Sequence, residues 1–70
     1  SMPTILAIDR RDGWIDRHRP RLEKSGYSVE RVASVRGALR SLRRNGYDVL
    51  IFDKSLPDGD EGRAFLAATQ

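Results

Sequence analysis

The 70-residue chain contains no cysteine, which excludes a disulfide framework and a thiolate metal site, and nothing in it points to an oxidising compartment. A single histidine, His18, has no second imidazole to form a ligand set and reads as a partly exposed helix position. No apolar run approaches the roughly 20 residues of a membrane span, and the N-terminus lacks the apolar core of a signal peptide. The expectation is a cytoplasmic protein without a membrane partner. Lysine is scarce too. The net charge of +3 rests on eleven arginines and two lysines against ten acids, without a long basic run. Arg36, Arg40 and Arg43 share one face at helical spacing, as do Arg17, Arg21 and Lys24 on an earlier segment. No aromatic residues are interleaved to stack bases, so these read as solvated helix faces, and nucleic acid is not expected as a partner. At this length the chain is one small domain, 1–70, with little core to bury. Ser1-Met2 reads as a leftover cloning serine ahead of the initiator methionine.

What the chain does have is a regular alternation. Residues 4–9, Thr-Ile-Leu-Ala-Ile-Asp, form a short apolar run that ends in an acid. Residues 12–25 read as a helix with Asp12 as N-cap, Trp14, Ile15 and Leu22 as apolar contacts, and Gly26 as its stop. Pro20 is expected to kink it or divide it in two. Residues 27–33 mix β-branched and charged side chains, as an edge strand does. Ser34 then caps a helix whose Val35, Ala38, Leu39 and Leu42 follow the i, i+3, i+4, i+7 pattern, and Asn45-Gly46 ends it. Gly37 costs this helix about 1 kcal/mol relative to alanine.

The most informative stretch is 47–62. Val49-Leu50-Ile51-Phe52 lead directly into Asp53, and the chain then turns through Pro57 and Asp58-Gly59. An uninterrupted apolar run suits a strand covered on both faces of a parallel sheet, where ligands sit beyond the carboxyl ends of the strands. Asp60 is expected to cap a last helix containing Ala64, Phe65, Leu66 and Ala68. The order βαβαβα predicts an α/β fold, a three-stranded parallel sheet joined by right-handed crossovers. If the first and third strands are neighbours, Asp9 and Asp53 meet at one sheet edge.

Ile5-Leu6-Ala7-Ile8-Asp9, Ser25-Gly26-Tyr27, Val32-Ala33-Ser34 and the run Gly46 to Asp53 followed by Lys-Ser-Leu-Pro-Asp together resemble the N-terminal half of the receiver domains of two-component response regulators. The resemblance implies a partial flavodoxin-like (CheY-like) fold with sheet order 2-1-3, and a signal-transduction module rather than an enzyme. In that family an aspartate takes a phosphoryl group from a phosphohistidine, assisted by Mg²⁺, a reaction carried by positioning and charge neutralisation. The resemblance places the phosphoacceptor at Asp53 and the metal ligands at Asp9, Asp53 and the carbonyl of Ser55.

The departures from the family pattern weaken the metal site. Arg10 stands where a second acid is usual, which removes a ligand and adds a cation that repels Mg²⁺, so Mg²⁺ is expected to bind weakly. Asp12 is a secondary candidate for the missing ligand. A salt bridge from Arg10 to Asp9 or Asp53 is the expected use of the arginine, which can also stand in for the neutralising ion. Glu61 occupies a position where glycine is usual, with Gly62 one later, and the hydroxyl and lysine of the family's later strands have no counterpart, Lys54 being too near Asp53 in sequence to substitute. Two functions follow. The chain is a degenerate or truncated receiver-like module that acts through protein contacts and self-association, or it is a phosphoacceptor taking a phosphoryl group on Asp53 from a histidine kinase with Mg²⁺. With order 2-1-3, the Val49, Leu50, Ile51 and Phe52 strand is left at an open edge, so a homodimer or domain-swapped assembly through it is expected.

Overall fold

Three strands alternate with three helices in the computed structural model, which describes residues 2–10, 13–52 and 59–69, Glu61 by its backbone alone. The elements are β1 (Thr4–Ile8), α1 (Trp14–Lys24), β2 (Ser28–Val32), α2 (Val35–Arg44), β3 (Val49–Phe52) and α3 (Asp60–Ala68). The strands form one parallel sheet in the order β2-β1-β3. This is the first half of a flavodoxin-like fold.

The central strand is β1, and its alternating side chains divide the core. Leu6 and Ile8 point to one face and pack with Val35, Ala38 and Phe65 of α2 and α3. Ile5 and Ala7 point to the other and pack with Ile15 of α1 and Val29 of β2. All four β1 side chains are at most 3% exposed, as expected of a strand covered on both faces.

Local chemistry sets the helix limits. Ser34 caps α2 as expected, its Oγ accepting from the Gly37 N–H at 3.0 Å. A Cβ at Gly37 would stand 3.3 Å from that oxygen and 3.5 Å from Val32 Cβ, so the helix rests closely on β2 there. The end of α1 is a Schellman turn. Gly26 adopts φ 98°, its N–H donates to Glu23 O, and Tyr27 N donates to Leu22 O.

Two helix caps and the expected division of α1 are corrected. The N-cap position of α1 is held by Gly13, at φ 65°, and not by Asp12, which lies outside the described residues. Pro20 sits inside one continuous helix and neither divides α1 nor starts a second piece. Its missing N–H removes the bond to the Asp16 carbonyl, and both residues are exposed. For α3 the N-cap is Gly59, while Asp60 is the first helical residue and pairs with Arg63. A carboxylate in the first turn still answers the positive end of the helix, without receiving a cap bond.

The two sheet edges are finished differently. Ser28 N donates to Pro3 O and Asp9 N to Val32 O, so the backbones of Ser28, Glu30 and Val32 face β1 and that of Val29 faces outward. Arg19 meets it there, Nη1 donating to the Val29 carbonyl at 2.6 Å while Nη2 pairs with Asp16. On the other side Asp48 N donates to Thr4 O, which turns the N–H and C=O groups of Val49 and Ile51 outward. Among the described residues no strand pairs with them. No helix among the described residues is long and apolar enough to cross a membrane.

Candidate functional site

The parallel register pairs Ile8 with Phe52, the residues immediately before Asp9 and Asp53. The sheet therefore brings the ends of β1 and β3 together, as the sequence pattern implied. Asp53, Lys54 and Ser55 lie outside the described residues, as does Asp12. The described part of the site is built around Asp9.

Asp9 is completely buried. Its Oδ1 accepts from Gly13 N and its Oδ2 from Ile15 N, both at 3.1 Å, so the carboxylate serves as the cap that Gly13 cannot provide. Arg31 closes over it from β2. Its Nη2 donates to the Asp9 carbonyl at 2.9 Å and its Nε stands 3.6 Å from Oδ2. A buried carboxylate needs this much compensation, since desolvation without partners would cost several kcal/mol. Two backbone donors and a guanidinium supply it. Arg10 follows directly, with an exposed side chain.

Of the expected Mg²⁺ ligands only Asp9 is among the described residues. A divalent ion needs several hard oxygens at once. Asp9 offers one carboxylate whose two oxygens are already hydrogen-bonded and which faces a fixed cation. No group of three or more His, Cys, Asp or Glu side chains that could hold a metal occurs among the described residues.

Sequence reasoning found Asp9 and missed Arg31. The signal was strand parity. Arg31 lies two residues after buried Val29, hence on the α1 face, and one residue before the end of β2, level with the β1 terminus. A second missed cluster sits on the opposite face. The Tyr47 hydroxyl donates to Glu30 Oε1 and Ser41 Oγ donates to Oε2 at 2.9 Å, although Ser41 is nearly buried. Burial pushes the Tyr47 pKa up, its bond to Glu30 adds to the rise, and contacts with Ser41 and Asn45 oppose it.

No protein-family model matches the chain. Over 58 residues, 80% of the chain, it is 36% identical to two-component response regulator ARR11 of Arabidopsis thaliana. Sequence and topology together support a receiver-domain fragment. The match spans 11% of that relative's length. No solved structure matches the chain. His18 is exposed on α1, as expected, and Arg17, Arg21 and Lys24 are exposed on the same helix.

Proposed function

We propose that this receiver-like module of two-component signalling works by protein contact, with an acidic edge neutralised by its own arginines instead of by Mg²⁺. The observation that carries this reading is the state of Asp9. Its carboxylate is spent on the first turn of α1 and on Arg31, in a chain that also has Arg10 where the second acid of the family stands. A site preset in this way needs no divalent ion to cancel its charge, and the module is not an enzyme. The open backbone of Val49 and Ile51 supports a second element of the reading, self-association by antiparallel pairing of β3 with β3 of another copy.

The alternative is a phosphoacceptor receiver, favoured by the Asp53 sequence and by the identity to a response regulator. Incubation with acetyl phosphate and Mg²⁺ followed by intact-mass measurement separates the two. The contact module stays at its unmodified mass. A labile phosphate adduct that disappears in Asp53→Asn would overturn it in favour of the acceptor. Arg10→Asp sharpens the experiment, because restoring the acid should let Mg²⁺ raise the melting temperature, by about 1.4 kcal/mol of stabilisation at ten times the dissociation constant. The parent chain should show no such rise.

A further inference from the structure

Most arginines that the fold places near acids are paired. Arg19 meets Asp16, Arg31 meets Asp9 and Arg63 meets Asp60. Among the described residues the arginines of α2 are not paired in this way, and neither are Arg17 and Arg21 of α1. Arg36, Arg40 and Arg43 are all exposed, α2 carries no acid, and none of the three makes an ion pair among the described residues. Charge alone would be a solvated face. Here it borders a depression.

Between α2 and α3 an open groove of about 480 Å³ is lined by Val35, Leu39 and Ala64 along its floor and by Arg36, Arg40 and Arg43. Leu39 is half-buried against the core, and Ala64 is exposed on α3. Ala67 and Ala68 of α3 are also exposed and equally small. The groove thus combines an apolar floor with a cationic wall about 10 Å long, from the 1.5 Å rise per helical residue between positions 36 and 43.

We propose that this groove docks an amphipathic helix of a partner protein, one whose apolar stripe is flanked by acids. The two features select this occupant together. Acids at helical spacing would run alongside Arg36, Arg40 and Arg43, while the apolar stripe covers Leu39 and Ala64. A nucleic-acid backbone would use the arginines and leave the apolar floor uncovered, and among the described residues no aromatic side chain lines the groove to stack a base. The inference takes from the proposed function only that the module works by contact. It involves neither Asp53 nor β3.

The test is fluorescence anisotropy on the 70-residue chain with a labelled helical peptide of about four turns, leucines on one stripe and glutamates beside them. A matched peptide with lysines for glutamates and a labelled DNA duplex serve as comparators. The glutamate peptide should bind saturably and the lysine peptide should not. Arg36→Gln with Arg40→Gln should weaken binding about tenfold. Arg17→Gln with Arg21→Gln on α1 removes the same charge and should change it less than about twofold. Ala64→Gln should also weaken binding by obstructing the floor with no change of charge. These are exposed positions, and circular dichroism verifies the fold of each variant. The proposal is overturned if the glutamate peptide does not saturate, if both arginine pairs lose affinity equally, if Ala64→Gln has no effect, or if the duplex binds through the same arginines more tightly than the peptide. Each of these outcomes is independent of whether acetyl phosphate modifies Asp53.

Discussion

Phe52 and Phe65 meet edge to face, with ring centroids 6.3 Å apart and planes at 79°. The contact fastens α3 to the last residue of β3, directly before Asp53, and Phe65 is completely buried in making it. Phe65→Ala should cost about 3–5 kcal/mol from lost burial and a residual cavity. A chain of this length has about 4–10 kcal/mol to lose. Urea titration should therefore show a large fall in midpoint or outright unfolding, whereas Val49→Ala, at a position 40% exposed, should cost well under half as much.

Arg31 is the cation that a buried Asp9 depends on. Arg31→Met keeps the apolar stem and removes the guanidinium, which should destabilise the chain by about 2–3 kcal/mol, less than a fully buried pair because the arginine is a third exposed. Arg31→Lys should recover only part of the loss, since one ammonium cannot serve the carbonyl and the carboxylate as Nη2 and Nε do. Chemical denaturation near neutral pH measures both.

Tyr47 gives the fold an alkaline limit. Its raised pKa means that the folded chain holds the phenolic proton more tightly than the unfolded chain does. The stabilisation is complete below the ordinary tyrosine value of 10.0 and is lost as pH rises from there through the folded value. Tyr47→Phe should flatten this part of the stability profile while lowering stability at neutral pH, because Glu30 loses a donor. Thermal melts across the alkaline range would show the difference.

Self-association through β3 predicts a dimer by sedimentation at high concentration. Val49→Lys places a charge on the open edge strand, a position exposed enough to accept it, and should shift the population to monomer without loss of helix signal. A parent chain that remains monomeric throughout would remove the β3 dimer and leave the groove between α2 and α3 unaffected.

The alternation of elements was legible because each left a local periodic mark. The Ile5–Ile8 and Val49–Phe52 runs, the i, i+4 pattern through Val35 and Leu39, and the Ser34 cap all depend on neighbours within a turn or two. The errors came where a local rule met a distant partner. Asp12 and Asp60 have cap chemistry, yet the first turn of α1 takes its acceptor from Asp9, and Gly59 precedes α3 by one residue. Pro20 is accommodated inside one continuous α1, which periodicity alone does not distinguish from a helix divided in two. Of the site, the meeting of the β1 and β3 ends could be inferred from the sheet order. Strand parity places Arg31 on the α1 face, but its reach from β2 to the end of β1 also needs the register.

That same register has a consequence for synthesis. β1 precedes both of its partners in the chain and both ladders depend on it, so Ile5 can pair with Val29 and then with Val49 only after each has been made. Its Ile-Leu-Ala-Ile run is therefore unpaired until β2 has followed and stays open on its second side until β3 is complete. In a nascent polypeptide this is the segment a chaperone would be expected to hold, and its release is gated by completion of β3.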